Sequence, residues 1–162
     1  MSFHVGRLAK LYLNTGTYGS PVWTEICRVS DVTIGQSKNT ATVVTRCSSN
    51  QKTVLGSKVF QITFNYLEVL GADTILAALR TSYHADTPAA AKLDVVATNL
   101  PIATAGATGI RGMFAVTNFE RTEGADDVVS RAVTLDEIDW QETIDSVITN
   151  INVGVYTTPS GP

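Results

Sequence analysis

Phe60-Gln61-Ile62-Thr63-Phe64-Asn65-Tyr66 alternates apolar and polar residues without a break. Successive side chains leave opposite faces of an extended chain, so a period of two marks a strand with one buried and one open face. Beyond Leu67 the period changes. Asp73 is placed to cap a helix, and Ile75, Leu76 and Leu79 then share one helical face. A long strand therefore delivers the chain into one short helix over about residues 73–83, and nearly everything else reads as strand or loop.

Upstream, residues 7–14 read as a first strand, followed by a loop whose Gly16, Gly19 and Pro21 punctuate it. Residues 23–29 and 31–35 give a second extended segment. Polar Gln36-Ser37-Lys38-Asn39 leads into a third over 40–47, and residues 48–51 form a loop tip. Gly56-Ser57 is the expected bulge or break in the strand spanning 52–67. Downstream, strands are expected over 92–98, 110–120 and 128–140, with a hairpin turn at Gly124-Ala125-Asp126-Asp127. Residues 147–156 read as a last strand or arm. The fold class is mainly β, a β-sandwich or open barrel with one flanking helix. Without repeats or linkers, residues 1–162 read as one domain with an extended N-terminal segment and a C-terminal arm and tail over about 147–162.

Composition agrees with a sheet. Twenty-two threonines and eighteen valines make up a quarter of the 162 residues, and β-branched side chains suit pleated surfaces better than helices. No run approaches the ~20 apolar residues of a membrane-spanning helix. His4, Arg7 and Lys10 precede no apolar block, so residues 1–10 do not read as a secretory signal, and a cytoplasmic birthplace is expected. Cys27 and Cys47, twenty residues apart, lack the partners of a zinc site and are expected as buried, reduced thiols, with a disulfide between them the alternative. Net charge is −3 but unevenly spread: residues 1–118 carry ten Lys/Arg against six Asp/Glu, and residues 119–162 carry two against nine. An acidic surface over Asp126, Asp127, Asp136, Glu137 and Asp139 is a candidate for meeting a basic surface on another copy.

Signatures of chemistry are missing. Neither His4 nor His84 sits in a catalytic context, and no Gly-x-Ser-x-Gly elbow, Walker motif or dinucleotide fingerprint occurs. Asp136, Glu137, Asp139, Glu142 and Asp145 lack the spacing of a calcium loop. The expectation is no enzyme, no cofactor and no metal. Dispersed positive residues in an acidic chain also argue against a nucleic-acid-binding face.

In Trp23-Thr24-Glu25-Ile26 leading to Val29-Ser30-Asp31-Val32-Thr33-Ile34, then Ala41-Thr42-Val43-Val44-Thr45-Arg46, Val59-Phe60-Gln61-Ile62-Thr63-Phe64 and Asp73-Thr74-Ile75-Leu76-Ala77-Ala78-Leu79, the chain resembles the tail tube proteins of long-tailed bacteriophages over roughly residues 23–140. The resemblance implies a small β-sandwich with a flanking helix, assembling as hexameric rings that stack into a hollow tube for the tape-measure protein and the transiting genome. It implies residence in the virion tail after assembly in the host cytoplasm. It also implies a loop reaching into the neighbouring ring. The candidate is residues 47–58, centred on Ser48, Ser49, Asn50, Gln51 and Lys52, with residues 36–40 the alternative. Gln61, Thr63 and Asn65 suit a lumen face, since hydroxyl and amide groups release no counterions from phosphate. Alternatives are another virion structural protein (a tail terminator or capsid decoration protein) or a small β-sandwich that binds a ligand.

Overall fold

The computed structural model describes residues 6–47, 50–102, 104, 106–125, 128–138 and 144–147. A 3-10 turn at Gly6–Leu8 precedes β1 (Lys10–Asn14), β2 (Trp23–Glu25), β3 (Val29–Val43) and β4 (Lys52–Leu67). Then come α1 (Thr74–His84), α2 (Pro88–Ala91), β5 (Leu93–Thr98), β6 (Thr108–Thr122), β7 (Ser130–Glu137) and β8 (Ile144–Val147). The strands form one antiparallel sheet in the order β2-β1-β5-β6-β7-β4-β3, with β8 added beside β6. The fold is mainly β with α1 where the sequence placed it, and a second short helix, α2, follows.

This order forces the sheet to curl. Its two edge strands, β2 and β3, are joined by only Ile26, Cys27 and Arg28. Such a link spans at most about 14 Å, whereas seven flat strands would hold their edges roughly 29 Å apart. The edges must therefore approach, and the sheet becomes an open barrel. Its inner face carries the core: Leu11, Leu13 and Ile26 near one edge and Phe60, Ile62, Phe64 and Tyr66 of β4 belong to one buried cluster with Phe114 and Leu135.

Helix α1 plugs that interior with Ile75 and Leu79. The Asp73 carboxylate caps it by accepting from the backbone N–H groups of Ile75 and Leu76, at 3.1 Å each. Where β5 stops, β6 continues alone on that side, and the Ser82 hydroxyl of α1 accepts from the Val116 backbone N–H at 3.1 Å while donating to the Ala91 carbonyl. A buried hydroxyl thereby satisfies a strand donor that no neighbouring strand reaches.

Several sequence expectations shift. The three segments read between residues 23 and 47 resolve into short β2 and the fifteen-residue β3, which runs straight through Gln36-Ser37-Lys38-Asn39. Polarity there marks exposure on both faces, not a break. The register does shift at Gly56-Ser57, where two β4 residues oppose Asn39, and a Cβ on Gly56 would stand 3.0 Å from the Asn39 carbonyl oxygen. Cys27 and Cys47 are exposed rather than buried, because neither lies on the inward face of a strand. Of the last strand or arm expected over residues 147–156, Val147 ends β8 and residues 148–156 lie outside the described residues.

Burial predicts unequal responses to truncation. Phe114→Ala is expected to lower stability by about 3–5 kcal/mol, and Leu55→Ala, in the exposed part of β4, by less than about 0.5 kcal/mol. Urea unfolding midpoints of the two variants check this contrast.

Candidate assembly surface

Strand β7 pairs with β4 only over Gln61–Leu67. Before buried Phe60, residues 52–59 of β4 and their β3 partners, residues 37–43, leave the body as a two-stranded ribbon exposed on both faces. Such a ribbon is at best marginally stable alone. Val43, Val54, Leu55 and Val59 are all exposed on it, and Val44 follows at 66% exposure. Among the described residues, no strand pairs with the second edge of β3. An unpaired edge of this length is a template for another chain.

The charge distribution sharpens the picture. Residues 36–58 contain Lys38, Arg46, Lys52 and Lys58 and no acid, whereas the remaining chain has eight basic against fifteen acidic residues. The positive excess of the first 118 residues therefore resides in this hairpin. Asn50, Gln51 and Lys52 stand exposed at its tip; Ser48 and Ser49 lie outside the described residues. The alternative segment at residues 36–40 is the opposite strand of the same hairpin, so both candidate loops belong to one protruding element.

Gln61, Thr63 and Asn65 do share the outward face of β4. Across the ladders they meet Thr33 on one side and Thr134 and Asp136 on the other. The Gln61 amide donates to Asp136 at 2.7 Å, the Thr117 hydroxyl donates to the same carboxylate, and the Asn65 amide donates to Asp31 at 3.3 Å. Asp136 thus belongs to this hydroxyl- and amide-rich face. Glu137, its neighbour in β7, points to the opposite face by strand alternation. Asp126, Asp127 and Asp139 lie outside the described residues.

Beside the inner end of the hairpin, the seam between β1, β2 and β3 is a cleft of about 550 Å³. Leu11, Ile26, Val29, Val32, Ile34 and Ala97 line it, with Lys10, Glu25 and Asp31 among its polar residues. Lys10 and Glu25 form an ion pair at 2.6 Å.

Two polar hubs hold these surfaces in place, and sequence reasoning found neither whole. At the first, Arg28 of the β2–β3 link pairs with Asp73 at 3.0 Å, and the Tyr66 hydroxyl donates to the same carboxylate at 2.6 Å. Burial pushes the Tyr66 phenol up, and its bond to Asp73 adds to the shift. For Asp73, burial works against ionisation, but the Tyr66 hydroxyl, the two capping N–H groups and Arg28 together outweigh it, so the carboxyl sits below its usual value. At the second hub, buried Arg111 grips Asp94 through two bonds of 3.0 and 2.6 Å and donates to the Tyr18 carbonyl at 3.0 Å. Its guanidinium lies 4.0 Å from the Tyr18 ring centre and 5.1 Å from that of Trp23. Asn14 donates to both Asp94 and the Thr17 carbonyl, so the 15–22 loop is clamped to the barrel.

The tail of an empty gene transfer agent particle, refined with C6 symmetry, contains a chain similar to this one at a TM-score of 0.65. Identity is 14%, over 88% of this chain and 98% of that one. The SPP1 tail tube gives a TM-score of 0.64 at 12% identity, over 88% of this chain and 78% of that one. The fold is that of tail tube proteins. A chain of an extracellular contractile injection system, the PVC sheath–tube complex in its extended state, has the same tail tube fold at a TM-score of 0.57 and 14% identity, over 86% of this chain and 88% of that one. No family model matches the chain, and no curated protein matches it in sequence.

Loss of the Asp73 hub has a defined sign. Because its folded carboxyl is held low, its contribution to stability is complete above the ordinary carboxylate range and disappears as pH falls through the folded value. Asp73→Ala is expected to cost about 1–2 kcal/mol near neutrality. Thermal melts from neutral to acid pH should show the variant and the parent converging as the carboxyl is protonated.

Proposed function

We propose that this chain is a non-enzymatic structural subunit that polymerises into stacked hexameric rings, forming the hollow tail tube of a phage-type particle. The observation that carries the reading is a tail tube fold combined with a fifteen-residue strand whose second edge is unpaired among the described residues and whose hairpin stands clear of the body. Joining copies edge to edge satisfies those backbone groups and covers the apolar side chains of the ribbon.

On this reading the face carrying Gln61, Thr63 and Asn65, with Thr33, Thr134 and Asp136, lines the lumen. It offers passing DNA hydroxyls, amides and one carboxylate, and so has no cationic grip on phosphate. The hairpin tip, residues 48–52, contacts a neighbouring ring. The tape-measure protein and the genome pass through the tube without specific binding. The subunit resides in the virion tail and is assembled in the host cytoplasm.

Negative-stain microscopy of the concentrated protein tests this directly. Rings or tubes of uniform diameter are expected; a strictly monomeric species at every concentration and salt would contradict the reading. Electrostatic steering between the basic hairpin and an acidic surface adds a second expectation, because exposed pairs are screened by salt. Rising salt should slow polymerisation. Replacing the exposed Lys38, Lys52 and Lys58 of the hairpin together by Glu should raise the critical concentration about tenfold while leaving the urea midpoint nearly unchanged.

A further inference from the structure

The ribbon is weakest at its root. There Lys38 of β3 stands directly opposite Lys58 of β4, and both are exposed. Residues directly opposite in an antiparallel pair share one face, with Cβ atoms about 4.5–5.5 Å apart, and like charges so placed destabilise the pairing. Nothing in the hairpin offsets them: residues 36–58 contain no acid, and neither ammonium enters an ion pair among the described residues. By alternation Lys58 shares the face of buried Phe60 and Ile62. The two charges therefore stand where the core ends and the open ribbon begins. Beside them the ladder is interrupted, because Gly56 and Ser57 together oppose Asn39, whose amide reaches the Ser57 hydroxyl only at 3.4 Å. Beyond this bulge four residue pairs, from Thr40–Leu55 to Val43–Lys52, hold the distal ribbon.

We infer that the Lys38–Lys58 pair is an electrostatic brake on the order of the hairpin, loosening residues 39–43 and 52–57 in the free chain. Two strands alone are marginal, so a repulsion the size of one cross-strand pair shifts how often the distal ribbon opens. Lysine on an edge strand is a known guard against unwanted strand pairing. Here the guard works from within the hairpin, by making the exposed strand itself a poorer template. The salt dependence has a definite sign. Screening weakens the repulsion, so added salt orders the ribbon of the free chain. That is opposite in direction to the slower polymerisation expected when steering between copies is screened. The brake belongs to the single chain and does not depend on the tube reading.

Hydrogen–deuterium exchange of the full-length chain tests this, at dilutions where light scattering shows a monomer and among variants whose urea midpoints match the parent. Lys38→Glu turns the repulsion into an attraction and should raise protection over residues 39–43 and 52–57 about threefold. Lys38→Gln, which only removes the repulsion, should give a smaller rise in the same segment. Lys52→Glu changes the hairpin charge equally but faces Val43, and should leave protection where it was. Sodium chloride should raise protection in the parent and lower it in Lys38→Glu, where it screens an attraction instead. Unchanged protection in Lys38→Glu would overturn the brake. So would an equal rise in Lys52→Glu, because the overall charge of the hairpin, and not the pair, would then be acting. Both of these results would leave the tube reading in place, since microscopy of the concentrated protein tests that reading separately.

Discussion

Three residues, Ile26 to Arg28, tie together the two edges of a seven-strand sheet, and that short tether governs the rest of the molecule. It bends the sheet into an open barrel, giving Leu11 and Leu13 at one end of the strand order the same core as Phe60 and Ile62 near the other. It also prevents full closure. β2 is only three residues long and cannot pair along fifteen-residue β3, so a cleft remains at the seam and, among the described residues, no strand pairs with the second edge of β3. The Arg28–Asp73–Tyr66 hub fastens the tether to the helix that fills the barrel. One acid thereby caps α1, neutralises the guanidinium of the link and accepts from a buried phenol of β4.

The same architecture separates a stable body from an unsupported projection. Inside the barrel, the Ser82 hydroxyl meets the Val116 strand donor that no strand reaches. Outside it, among the described residues, the ribbon of residues 37–43 and 52–59 has only its own two strands to hold it. Charge follows this division, with four basic residues and no acid in the hairpin and an acid excess in the remaining chain. The tail tube fold is shared with the gene transfer agent tail and SPP1.

Much of this was legible in the residues. The alternation of Phe60 to Tyr66 reported a strand buried on one face because β4 does bury that face, and Asp73 reported a cap because its carboxylate bonds the first N–H groups of α1. The hairpin was misread because its signal is weak in kind: where both faces are open, nothing enforces alternation, and Gln36 to Asn39 looked like a loop. Pattern also could not reveal pairings across distance. Arg28 meets Asp73 forty-five residues away, and Arg111 meets Asp94 only because β5 and β6 are neighbours. The absence of acid between residues 36 and 58 was visible, and it was the available sign that this segment projects as one charged element.

The central claim is that β3 and its ribbon are completed by other copies of the chain. Hydrogen–deuterium exchange, compared between unassembled and assembled protein, measures that completion amide by amide. The account expects fast exchange over residues 37–43 and 52–59 before assembly and strong protection there afterwards, with β5 and the paired part of β4 protected in both states. Assembled protein whose ribbon amides still exchange as fast as those of the free chain would contradict it.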